Sequence, residues 1–137
     1  MRGRYGGSRK FFTGLTEGVI EALKVTLQLD YPDKDGITLR KTLEQVYESS
    51  GYKVRDPLLD KEILIPVEVQ HLFELFWKLR GGIGGSGFGP NPISQLEIWC
   101  YVMNFGIDLS PGEIEVLQKL DHYYMEHSAK QSEKNKG

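Results

Sequence analysis

A chain of 137 residues that is 39% hydrophobic reads as one globular domain, since two independent cores do not fit in this length. Seventeen basic against nineteen acidic residues leave a net charge of −2, which excludes both a polybasic nucleic-acid protein and an acidic disordered one. A single cysteine, Cys100, excludes an intrachain disulfide, and no apolar run is long enough to predict a membrane span.

Residues 1–14 open with Arg2, Arg4, Arg9 and Lys10, without an acid and without the apolar stretch of a signal peptide. They read as a flexible basic arm. From residue 15 to 127 the patterning predicts a single all-α domain of four to five short helices. Over 16–29, Val19, Ile20, Leu23 and Leu27 share a helical face, while Val25, Leu27, Leu29 and Tyr31 alternate as in a strand. Helix is expected to about Lys24. The Pro-Asp-Lys-Asp-Gly run at 32–36 predicts a turn. Helix is then expected from Thr38 as N-cap to Ser50, with Leu39, Leu43, Val46 and Tyr47 as its stripe and Gly51 in the left-handed position after it.

An extended connection follows, and Pro66 is placed to open the next helix. That helix carries Val69, Leu72, Phe73, Phe76 and Leu79, widened by Leu75 and Trp77, and stops at Gly81-Gly82. Residues 81–92 form a glycine-rich segment read as a hinge. Over 94–127 two helices are expected, each with a capping box: Ser94 with Glu97, and Ser110 with Glu113, the latter with Pro111 at the first helical position. They predict a compact hairpin in which Ile98, Trp99, Val102 and Phe105 face Ile114, Leu117, Leu120 and Tyr124. The charged residues 128–137 read as a disordered tail.

Several chemistries fail on the residues themselves. Gly82-Ile83-Gly84-Gly85-Ser86-Gly87 matches a dinucleotide fingerprint by letters, but a helix precedes it where a strand is needed. Asp33-Lys34-Asp35-Gly36 recurs in calcium loops, yet Tyr31 and Thr42 would occupy positions that need carboxylates. His71, His122, His127 and Cys100 lack metal-ligand spacing, and Cys100 beside Trp99 reads as a buried, inert thiol. The expectation is therefore a non-enzymatic protein with no catalytic residue, metal or cofactor. A DNA-reading hairpin is also disfavoured: residues 94–127 hold six carboxylates against Lys119 alone, a net −5 with neutral histidines. What remains is aromatic. Phe73, Phe76, Trp77, Trp99 and Tyr101 exceed what single helical stripes can bury, which makes them candidate partner contacts.

The segment Asn91-Pro92-Ile93-Ser94, Glu97-Ile98 and Tyr101, followed by Gly106, Leu109-Ser110-Pro111, Glu113, Leu117 and Leu120-Asp121, resembles the tail assembly chaperone family of long-tailed bacteriophages, small proteins encoded near the tape-measure gene. The aromatic helix Leu72–Arg80 before a glycine-rich gap is similar too, so the likeness covers about residues 66–125. It departs at Gly112, where the family often has a large aromatic. The resemblance implies a non-enzymatic morphogenesis protein that holds the tape-measure protein while tail-tube subunits assemble, with self-association compatible. Membrane and nucleic acid are not implied as partners. The implied place is the host cytoplasm, or the virion if the chain is instead a neck or tail-joining component. A small regulator using the basic arm is the other alternative.

Overall fold

The computed structural model describes the backbone of residues 4–61, 64–83, 85–86 and 89–136, with side chains within 13–61, 64–83 and 89–134. Five α-helices appear among them: α1 Arg4–Asp30, α2 Leu39–Ser49, α3 Gln70–Gly81, α4 Gln95–Phe105 and α5 Pro111–Lys136. Short 3-10 turns lie at Pro57–Asp60 and Val67–Val69. A two-residue pair, β1 Gly85–Ser86 with β2 Gly89–Pro90, is antiparallel. The expected all-α class is what the chain adopts. No helix among the described residues is long and apolar enough to cross a membrane.

Three helices make the core, and they run in the same direction. Lys24 of α1 lies over the Tyr123 ring of α5, and Tyr31 donates to Ser128 further along. His71 of α3 meets Glu113 near the start of α5, and Arg80 meets Asp121 two turns later. Parallel neighbours cannot be joined by tight turns, so the links between them must travel back along the bundle. The stretch from Asp30 to Pro66, including α2, makes the first return; α4 and its flanking loops make the second. Val19, Leu23 and Leu27 of α1 pack with Leu72, Leu75, Phe76 and Leu79 of α3 and with Val116, Leu117 and Leu120 of α5. The spacing of these residues by three and four puts each set on one face.

The structure changes several expectations. The chain from Arg4 is helical and continuous with α1, not a separate loose arm; residues 1–3 lie outside the described residues. Nor does α1 end near Lys24. Ala22, Val25 and Leu29 are buried outside the main cluster, and α2 lies against α1, so this helix is covered on more than one face. A helix buried widely loses the clean 3.6-residue pattern, which is why an alternation resembling a strand arose. The tail is helical to Lys136. Ser128 is buried and accepts the Tyr31 hydroxyl at 3.0 Å, and no Gly or Pro lies between Ser128 and Lys136.

The local punctuation holds. The Thr38 hydroxyl accepts the Lys41 amide, and Gly51 takes φ 71° after α2, a conformation that favours glycine. In the 81–92 segment, β1 pairs with β2, while Gly84, Gly87 and Phe88 lie outside the described residues. Its far end is anchored. Arg80 Nη1 donates to Asn91 O at 2.9 Å and to Asp121 Oδ1 at 2.7 Å, and the Ile93 amide donates to Asp121 Oδ2 at 2.8 Å. Both charged side chains are almost sealed, 5% and 7% exposed. The Arg80 guanidinium also lies 4.5 Å from the Tyr124 ring centroid.

Removing one member of such a buried pair strands the other charge. Asp121→Ala is expected to lower unfolding free energy by about 3–5 kcal/mol, read from urea melts. It also leaves the Ile93 amide unpaired. Replacing both residues by apolar ones of similar volume is expected to recover much of that loss in the same melts.

Candidate docking surface

Helix α4 is built for burial and is mostly not buried. Ser94 opens it: its hydroxyl accepts the Glu97 amide at 3.1 Å and lies 3.0 Å from Glu97 Oε1, to which it donates. Gly106, with φ 62°, closes it in the left-handed conformation. Between them only Gln95, Glu97 and Asn104 are polar. A helix apolar almost all round ordinarily sits inside a protein. Here Ile98 alone is fully buried, and Tyr101 and Val102 are half-buried.

The rest of the apolar surface faces solvent. Leu96, Trp99 and Met103 are 67%, 59% and 62% exposed. Their spacing of three and four residues aligns them in one stripe, with Cys100 beside it. Burying a side chain of this size is worth about 1.5–3 kcal/mol, which the fold forgoes at each of these three positions.

The five aromatic residues singled out from the sequence are divided by the structure. Phe76 is fully buried in the core and is not a partner contact. It lies where α3 faces both α1 and α5, so its ring is used within the fold. Phe73 and Trp77 are half-buried in an aromatic cluster in which Trp77 meets Phe76 at 5.1 Å and Tyr124 at 6.1 Å between ring centroids. Tyr101 stacks on Phe105 at 4.5 Å. Only Trp99 of the five is broadly exposed. The expected compact hairpin is also corrected: α4 leans on α3, and Trp99 and Phe105 project to solvent instead of facing α5. Cys100 is exposed for the same reason. Leu96 and Met103 were missed, although plotting residues 95–105 on a helix places both beside Trp99.

The other chemical candidates are committed elsewhere. Asp33 Oδ1 accepts the amides of Asp35 and Ile37 at 2.8 and 2.9 Å, closing the turn that resembled a calcium loop. Gly85 and Ser86 of the glycine run belong to β1, behind a helix. His122 pairs with Glu126, and His127 packs edge-on against Tyr31 at 4.8 Å. Among the described residues no group of three His, Cys, Asp or Glu side chains could hold a metal ion.

Ser110 and Glu113 form a reciprocal box at the start of α5, the Ser110 amide donating to Glu113 Oε1 at 3.0 Å and the Glu113 amide to the Ser110 hydroxyl at 3.2 Å. Glu113 Oε2 also meets His71 Nε2 at 2.5 Å. Burial pushes this carboxyl up, but the bonds from His71 and Ser110 outweigh it, and the net shift is downward. His127 is also shifted down, chiefly by burial and then by Lys134 and Lys130.

With this geometry in hand, comparison with protein families, curated proteins and solved structures gives no match for the chain.

Both shifts make the protein acid-sensitive. The unfolded chain binds a proton on the residue-127 imidazole before the folded one does, so stability falls as pH drops below its ordinary value near 6.5. The depressed Glu113 carboxyl contributes stability above the ordinary carboxylate range, lost as pH falls through its lowered value. In melting temperature against pH, His127→Phe is expected to flatten the first decline and Glu113→Gln the second. Unchanged profiles would show that neither environment matters to folding.

Proposed function

We propose that this protein is a non-enzymatic docking module that holds an apolar helix of another polypeptide against α4. The observation that carries this reading is the stripe of Leu96, Trp99 and Met103, left open on a helix that is otherwise apolar. Soluble monomers seldom leave such surface contiguous, and where they do it commonly serves an interaction. A helix laid along the stripe would present side chains at the same three- and four-residue spacing. Trp and Met suit such a role because they bring large contact area and adaptable shape.

The finer reading is that the client is the tape-measure protein of a long-tailed phage, and that the chain acts as a tail assembly chaperone. Its support is the resemblance carried by residues 89–121. The tertiary structure adds a physical meaning to those letters. At the ion pair of Arg80 with Asp121, the last residue of the second string, the Asn91 carbonyl of the first string accepts from Arg80 and the Ile93 amide donates to Asp121. The motif thereby sets the two ends of the α4 connection, and α4 is the helix left open. A long helix-rich client needs a holder that recognises apolar stripes without close sequence demands, which a smooth apolar helix face supplies.

The test is co-expression with the tape-measure protein of the same phage. Trp99→Ala with Met103→Ala is expected to weaken capture by about thirty-fold or more, corresponding to the loss of at least one anchor worth about 2 kcal/mol. Circular dichroism and melting temperature should stay near those of the parent chain, because both side chains are exposed. Full co-purification of a folded double variant would overturn the reading.

A further inference from the structure

A cavity of about 500 Å3 opens where the end of α1 meets α3 and α5. Three aromatic rings line it: Tyr31 just after α1, Trp77 of α3 and Tyr124 of α5. Thr26, Asp30 and Pro32 bring the last turn of α1 and the start of the following turn into the wall. No residue of α4 takes part, so the cavity is separate from the docking face. The Tyr124 centroid lies 6.1 Å from that of Tyr31, with the planes at 60°, and 6.1 Å from that of Trp77, with the planes at 82°. Rings tilted in this way stand as walls around a space instead of closing it as a stack. They are also held in place. The Tyr31 hydroxyl donates to Ser128 at 3.0 Å, and Trp77 packs edge-on against the fully buried Phe76.

The lining is negative in three independent ways. Asp30 is its one ionised side chain. Helix α1 runs for 27 residues and ends at Asp30 with no basic residue in its last turn, so the negative end of its dipole falls at the cavity without compensation from its own helix. The ring faces add the negative lobes of their quadrupoles. Two cations stand at the margin, and both are matched. Arg40 Nε and Nη2 donate to Asp30 Oδ1 and Oδ2 at 2.8 and 3.2 Å. Arg80, 4.5 Å from the Tyr124 ring centroid, meets Asp121.

We propose that this cavity binds a quaternary ammonium group, carried by a free small molecule of the choline type or by a trimethylated lysine. Aromatic walls with a carboxylate at the rim are the arrangement that recognises such cations. A primary ammonium suits the cavity less, because its three N–H donors need acceptors. The single carboxylate is already engaged at both oxygens by Arg40, and the walls are mostly ring and aliphatic carbon. A methylated ammonium needs no hydrogen bond and spreads its charge over methyl groups that pack against the rings. The volume falls in the range of about 300–1,000 Å3 usual for small-molecule sites, which leaves room for the chain that carries the ammonium head.

The experiment titrates the full chain with choline and follows the N-methyl proton resonance of the ligand, beside the neutral carbon isostere of choline. The surrounding rings are expected to shift the N-methyl protons upfield, saturably, and the isostere to bind about tenfold more weakly or worse. Asp30→Asn and Arg40→Gln break one and the same ion pair between two partly exposed side chains. Mere structural damage would therefore move binding in one direction for both. The proposal requires opposite directions. Asp30→Asn removes the carboxylate and leaves Arg40 to repel the guest, weakening choline by about fivefold or more. Arg40→Gln frees the carboxylate and strengthens choline by about twofold or more. Melting temperatures of both variants check the fold. Fluorinated tryptophan keeps the ring and drains negative potential from its face, and it should weaken choline as well; Trp99, the other tryptophan, does not line the cavity.

Short peptides carrying one trimethyllysine or one unmodified lysine form the second arm. Tighter binding of choline than of the trimethyllysine peptide assigns a free ligand, and the reverse assigns a modified protein. The proposal is overturned if neither choline nor the trimethyllysine peptide binds saturably, if the neutral isostere binds as well as choline, or if unmodified lysine binds as well as trimethyllysine. It is also overturned if Asp30→Asn and Arg40→Gln shift the affinity in the same direction.

Discussion

The ion pair between Arg80 and Asp121 sets the geometry on which the rest of the molecule depends. Three parallel helices need long returns between them, and the return from α3 to α5 begins with a glycine-rich stretch that has little intrinsic preference for one path. Arg80, at the end of α3, and Asp121, on the inner face of α5, hold the end of that stretch at Asn91 and Ile93. In a nearly dry site these bonds are directional and hard to exchange for water. They determine where Ser94 caps α4, and hence which face of α4 turns inward.

That constraint explains how an apolar helix can stay largely open without collapsing onto its neighbours. The anchored connection on one side and the Gly106 turn with the Ser110 box on the other limit where α4 can go. Ile98 reaches the core, while Leu96, Trp99 and Met103 cannot turn in without sending Ile98 out, because the two sets lie on different sides of one helix. The exposed stripe is therefore a consequence of the frame rather than of loose packing. The core itself is complete without it: Phe76, Leu23, Leu72, Leu117 and Leu120 are all fully enclosed.

The features legible in the sequence were those formed within a few residues. Thr38, Ser94, Ser110 and Glu113 cap helices through bonds spanning three positions, and Gly51 and Gly106 take the left-handed turns expected after helix ends. Short-range hydrogen bonding depends little on the remainder of the chain, so such signals survive folding. The extent of α1 was not legible, because burial on more than one face blurs helical periodicity. The course of residues 128–136 was not legible either, since their polarity hides a helix continued by the contact between Ser128 and Tyr31.

The candidate surface divides in the same way. Composition and spacing alone determined that the chain is helical, that its second half holds two capped helices, and that it has more large apolar residues than short stripes can hide. Which of those residues face outward was decided only by the tertiary arrangement. Phe76 and Trp99 are alike in type and in helical setting, yet one lies between three helices and the other on a helix touching the bundle by one edge. Exposure is a property of relative placement, and that placement is set by an arginine and an aspartate forty-one positions apart.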